Sequence, residues 1–61
     1  MEELSFKVVK VHSAYDEPIA YAANLLVGRA AYETAVRMYP RDLIQMRQGA
    51  RIIEKSKEDG A

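Results

Sequence analysis

Apolar and polar residues alternate near the start of the chain, over residues 4–12. Phe6 and Val8 are strand-forming residues two positions apart, so they would share one face of a strand. Lys7 and Lys10 are interleaved with the apolar positions. Successive side chains of a strand point to opposite faces, so this pattern predicts a strand with one buried face.

Two interpretations fit the next segment. In the first, residues 13–18 form a turn, residues 18–23 form a second strand, and Asn24 caps the following helix with its side-chain oxygen. In the second, Asp16 caps one long helix that ends at Tyr39. The alanine content favours the long helix, whereas the polar break at Asn24 favours a strand followed by a helix. We adopt the strand and helix and keep the long helix as the alternative.

The clearest periodicity belongs to residues 25–39, which predict a helix. At about 100° per residue, one side is apolar and mostly small, while Glu33 and Arg37 lie on the other side. Gly28 flanks the apolar side, where it would let the helix approach a sheet closely. Pro40 ends the helix. The residues predicted to face the core are Val27, Ala31, Thr34, Ala35 and Met38.

A hairpin is predicted after the helix. Residues 42–48 and 51–55 are strand-like, and Gly49 lies in the turn between them. The alternative to the hairpin is a helix with an apolar seam along one side, because four apolar residues follow a 3,4,3 spacing along the chain. Gly49 in the middle of that seam favours the hairpin. The residues of the alternative seam are Leu43, Met46, Ala50 and Ile53.

These elements predict an α+β fold: a small antiparallel sheet of three or four strands with one packed helix. The preferred order is β-β-α-β-β, and β-α-β-β is the alternative. Met38→Ala or Ile44→Ala is expected to cost about 2–4 kcal/mol, because each would leave a cavity in the core. The predicted core is Phe6, Val8, Ile19, Tyr21, Val27, Ala31, Ala35, Met38, Ile44, Met46 and Ile53, with Leu26 near the helix start.

Composition bounds the class of protein. The 61 residues predict one small domain, with residues 56–61 as a frayed tail. Cysteine is absent, so oligomerisation is the simplest additional support for so small a core. The formal net charge is zero. Neither a membrane-spanning run nor a basic signal-peptide start is visible, so we expect a cytoplasmic protein.

Several short motifs resemble those of a family of short bacterial proteins of unknown function. The motifs are Ala22-Ala23-Asn24, Arg29-Ala30-Ala31-Tyr32, Tyr39-Pro40, Leu43-Ile44 and the run from Arg47-Gln48-Gly49-Ala50-Arg51 to Glu54. The resemblance covers roughly residues 18–56 and implies a compact α+β unit with a terminal hairpin. It implies no activity, cofactor or catalytic residue.

Tyrosines suggest a protein interface. Tyr32 and Tyr39 flank the predicted core side of the helix, and Val36 is predicted to lie away from it. Aromatic residues are enriched at protein interfaces. We therefore predict a non-catalytic interaction module that forms a homodimer or binds a protein partner, with Tyr32, Val36 and Tyr39 as its contact residues.

Arginines suggest a second hypothesis, an anion- or nucleic-acid-binding module. Residues 28–51 contain five arginines and two acidic residues, a net charge of +3. Arg41, Arg47 and Arg51 lie near the predicted hairpin, and guanidinium groups grip phosphate or carboxylate in bidentate fashion. The zero overall charge ranks nucleic acid below a protein partner.

Enzymatic chemistry has no sequence support. His12 is the only histidine, and no other residues stand at metal-ligand spacing around it. The serines lack a base and an orienting residue at motif spacing. We expect no catalytic residue, no metal and no cofactor.

Overall fold

The computed structural model describes residues 5–57. It contains one four-stranded antiparallel sheet and one helix, so the predicted α+β class and the β-β-α-β-β order are confirmed. The strands lie in the spatial order β2-β1-β3-β4, with the helix joining β2 to β3. Their bounds are β1 Phe6–Val11, β2 Asp16–Ala22, α1 Leu25–Met38, β3 Leu43–Gln48 and β4 Arg51–Lys55. The predicted strand residue Leu4 lies outside the described residues.

The second strand begins earlier than predicted. Residues 13–18 were expected to form a turn, but β2 already starts at Asp16, and the hairpin closes through a hydrogen bond from the His12 N–H to the Tyr15 carbonyl (2.8 Å). Pro18 is therefore inside the strand, opposite Val9, where the pairing register shifts. Proline cannot donate to a ladder, so an edge strand at an irregularity is where it is tolerated.

Asn24 separates β2 from α1 as predicted. Its Oδ1 accepts a hydrogen bond from the Val27 N–H at 2.9 Å, which satisfies one of the free amides of the first helical turn. The helix ends at Met38, one residue before the predicted end, and Pro40 follows. The alternative of one long helix from Asp16 is wrong because β2 occupies its first part.

The terminal hairpin is also confirmed, and the helical-seam alternative is wrong. Gly49 has a φ of 61°, and no other described residue has a positive φ. Glycine at the first central position is typical of a two-residue type II′ turn. Beyond β4, the Ser56 Oγ accepts a hydrogen bond from the Ile44 N–H at 2.9 Å. Ser56 is thus tied to β3, and residues 58–61 of the predicted tail lie outside the described residues.

The core lies between α1 and the two central strands. Val8, Ala35, Ile44 and Met46 form its buried cluster, as predicted. The partly buried residues packed against this cluster are Ile19, Ala20, Ala31, Tyr32, Val36, Tyr39 and Ile53.

Several residues predicted to face the core are exposed instead, so this part of the prediction is wrong; Thr34 and Leu26, which is 81% exposed, are among them. Val27 is 55% exposed, Met38 63% and Tyr21 70%. The helix is rotated relative to the predicted orientation because Gly28, rather than Val27, is buried against the sheet. Tyr21 pairs with Lys7, on the sheet face that the helix does not cover.

Val9 and Gln45 form a second buried layer that the sequence pattern did not predict. They pair with each other across β1 and β3. Gln45 directly follows the core residue Ile44, so its side chain and that of Val9 lie on the sheet face that the helix does not cover. Even so, Val9 is only 1% exposed and Gln45 3%. The Gln45 Oε1 accepts a hydrogen bond from the Arg47 Nε at 2.9 Å, so its buried amide oxygen has a partner.

The rotation of the helix changes the expected effect of two substitutions. Ile44→Ala is expected to cost about 2–4 kcal/mol, because Ile44 is fully buried. Met38→Ala is expected to cost about 0.5 kcal/mol or less, because its side chain is mainly in solvent. Urea unfolding followed by circular dichroism measures both, and equal losses would contradict this core.

Gly28→Ala is expected to lower stability even though alanine is the better helix former by about 1 kcal/mol. An added Cβ would lie 3.2 Å from the Met46 Sδ and 3.3 Å from the Phe6 Cβ. The Phe6 Cβ is attached directly to the strand backbone and cannot move aside alone. Ala30→Gly, at an exposed position of the same helix, is the control for propensity. A gain of about 1 kcal/mol in the free energy of unfolding of Gly28→Ala would contradict this prediction, because it would show that the sheet accommodates the added methyl group without a steric cost.

Candidate functional site

Two grooves run along the flanks of α1. The β2-side groove, of ≈ 370 Å³, is lined by apolar residues and one threonine, and no charged residue contributes to it. The β4-side groove, of ≈ 380 Å³, has charged residues in its lining. The β2-side groove is formed by Ile19, Ala20, Val27, Ala30, Ala31, Thr34, Ala35 and Met38, and the β4-side groove by Tyr32, Glu33, Val36, Arg37, Lys55 and Ser56.

The β4-side groove brings together two of the predicted contact residues, Tyr32 and Val36. Both are half-buried and pack against the core, so the prediction that Val36 lies away from the core is wrong. Burial raises the pKa of the Tyr32 hydroxyl, and the negative charges of Glu54 and Glu33 raise it further. The phenol therefore stays neutral and can donate a hydrogen bond at physiological pH.

Tyr39, the third predicted contact residue, is engaged within the domain. The Lys10 Nζ lies over its ring, 3.9 Å from the centroid, and also 3.8 Å from the Asp42 Oδ2. This cation–π contact uses one face of the ring. The structure places Tyr39 at the C-cap of α1, and its carbonyl accepts a hydrogen bond from the Asp42 N–H at 3.1 Å in the loop to β3.

Large apolar side chains are exposed on and beside the β2 side of the helix. Leu26 is 81% exposed, and Val27 and Met38, which line the β2-side groove, are also mostly in solvent. Sequence reasoning assigned all three to the core or its edge. The signal that could have corrected this is Gly28, since a glycine in the middle of an otherwise good helix is typical of a close helix–sheet contact.

Arg47 is held by intramolecular contacts. Its NH1 group lies 2.7 Å from the Asp16 Oδ2, and its Nε donates to Gln45. This bonding extends across β1 on the uncovered face of the sheet, from β3 to β2. Charge-assisted hydrogen bonds of this kind satisfy the guanidinium that was predicted to bind an external anion.

The three predicted anion-binding arginines do not converge. Arg51 pairs with Gln48 and lies on the same sheet face as that residue. Gln48 directly follows Arg47 in β3, and successive side chains point to opposite faces, so Arg47 and Arg51 lie on opposite faces of the sheet. Arg41 precedes β3, and the first strand residue, Leu43, is already about 13 Å from Arg47 along the strand at 3.3 Å per residue. A single small anion cannot contact all three.

His12 and Glu17 are in contact beside the turn that connects β1 to β2. The His12 Nε2 lies 2.9 Å from the Glu17 Oε1, and the imidazole stacks on Tyr15 with centroids 4.4 Å apart. Hydrogen bonding from His12 is the main cause of a lowered pKa of the Glu17 carboxyl, and the charge of Lys10 assists. Within residues 5–57, no three histidine, aspartate or glutamate side chains are grouped so that they could hold a metal ion.

Comparisons with protein-family models, with curated proteins and with solved structures gave no match. The resemblance to short bacterial proteins therefore stays a prediction. No helix in the described part of the chain combines the length and the hydropathy that crossing a membrane requires.

The lowered pKa of Glu17 predicts a pH-dependent contribution to stability. A carboxyl whose folded-state pKa is below its unfolded value stabilises the fold above the unfolded value, and this contribution is lost as the pH falls through the folded-state pKa. The free-energy difference between the wild type and Glu17→Gln should therefore shrink as the pH falls through and below 4.5, the ordinary pKa of a glutamate. Urea unfolding at several pH values measures it.

Glu33→Gln is the control for this experiment. Glu33 is an exposed carboxylate that forms no ion pair within residues 5–57. The same pH dependence in both variants would contradict a specific role for the His12 contact.

Proposed function

We propose that this chain is a non-catalytic interaction module that associates with itself or with a protein partner. The observation that carries the proposal is the apolar surface along the flanks of α1. Leu26, Val27 and Met38 are each more than half exposed, although the core of so small a domain needs apolar side chains. Exposed apolar surface beside a groove is typical of sites that bind other proteins.

The two flanks offer different chemistry to a partner. The β4-side groove combines the half-buried ring of Tyr32 with Glu33, Arg37 and Lys55, so a polar rim surrounds an apolar centre. This arrangement is common in protein interfaces. The β2-side groove is uncharged and depends on shape and apolar contact alone.

The anion-binding alternative has less support. Arg47 is paired with Asp16, and Arg29 with Glu54 at 3.1 Å, so two of the five central arginines are neutralised within the domain. Arg41 and Arg51 are exposed but belong to opposite ends of the β3–β4 hairpin. No cluster of cations among the described residues favours nucleic acid over protein.

Site-specific photo-crosslinking tests the proposal. A benzophenone amino acid replaces Thr34 on the β2 side or Glu33 on the β4 side of α1, in cells of the source organism. Both positions are exposed, so the replacement should leave the core intact. We expect ultraviolet light to give adducts of discrete mass from at least one flank, since a bound protein would lie within reach of the probe.

Ala50 is the matched control position, because it is exposed in the hairpin turn and lines neither groove. Adducts at Thr34 or Glu33 that are absent at Ala50 would support an interaction module. Equal background labelling at all three positions would contradict it.

A further inference from the structure

We infer that the protein module proposed above pairs with a second copy of itself, through an antiparallel contact between the β2-side flanks of two α1 helices. This inference rests on the proposed function and names its partner. Val27, Ala31, Thr34 and Met38 form the contact, which we call the helix seam. All four line the β2-side groove and follow a 4,3,4 spacing, which keeps them on one side of the helix.

The helix seam is complementary to itself. When two copies run antiparallel, Val27 lies opposite Met38 of the second copy, and Ala31 lies opposite Thr34. Each contact occurs twice, as two-fold symmetry requires. The small residues at the centre let the two helices approach, while the larger residues at the ends fill the space towards each groove.

The charge distribution favours a second copy on this flank over one on the β4 side. Two-fold symmetry gives the contacting surfaces of both copies the same net charge, so a flank with a net charge repels its own copy. The β2-side groove has no charged lining residue. The β4-side groove contains Glu33, Arg37 and Lys55, and is better suited to a partner of different sequence.

The available area predicts a weak dimer. The exposed fractions of Val27 and Met38, the two large residues of the helix seam, are 55% and 63%, which together equal about one fully exposed large side chain per copy. The helix is 14 residues long, about 21 Å. A standard interface takes about 800 Å² from each partner, and one helix flank supplies less. We therefore expect a dissociation constant of about 1–100 μM.

Sedimentation equilibrium between about 1 μM and 1 mM tests the pairing. The wild type should pass from monomer to dimer over this range. Thr34→Glu should weaken the dimer at least about tenfold, because the Thr34 residues of the two copies lie about 4.5 Å apart along the helix axis. Ala50→Glu adds the same charge far from the helix seam and should dimerise like the wild type.

A charge-swap experiment separates this seam from any other surface. Thr34→Glu and Thr34→Lys should each be mainly monomeric, and an equal mixture should recover a one-to-one dimer. Circular-dichroism melts show whether each variant is folded. A wild type that stays monomeric, or a Thr34→Glu variant that dimerises like the wild type, would overturn the inference. If a monomeric wild type still gives discrete adducts with another protein, the interaction module stands and only self-pairing fails.

Discussion

The close approach of α1 to the sheet at Gly28 determines the arrangement of the rest of the molecule. Gly28 is buried, and the three atoms nearest to an added Cβ belong to Met46, Phe6 and Ala22. These residues come from three different strands, so one point on the helix is fitted to the centre of the sheet. Because a helix is nearly rigid, this contact also fixes which side chains are covered and which are left in solvent.

Local signals explain why the elements themselves could be predicted from the sequence. Asn24 supplies a capping oxygen, Pro40 ends the helix, and Gly49 provides the positive φ of the hairpin turn. The orientation of α1 could not be predicted in the same way. Periodicity identifies an apolar side about 100° wide, but a glycine adds no hydrophobic weight to that side, so the pattern pointed to Val27 and Met38.

The candidate sites were predictable to a smaller degree, since sequence patterns do not show which polar groups satisfy each other. Tyr32 and Val36 do share a groove. Arg47 instead bonds to Asp16, a residue 31 positions earlier, and to Gln45. These bonds lie on the sheet face that has no helix, where Val9 is nevertheless 1% exposed. We attribute part of that burial to the aliphatic stem of Arg47, since long charged side chains often cover apolar surface.

Both edges of the sheet have features that oppose pairing with another strand. β2 contains Pro18 and an irregular register, and β4 has a register shift against Met46 and Arg47 together with charged residues along its length. Proline, bulges and charges are the usual means by which proteins protect exposed edges. With the edges protected in this way, association through backbone hydrogen bonds is disfavoured. The helix flanks are then the surfaces left for the proposed association, and the uncharged flank is the one that we assign to an identical copy.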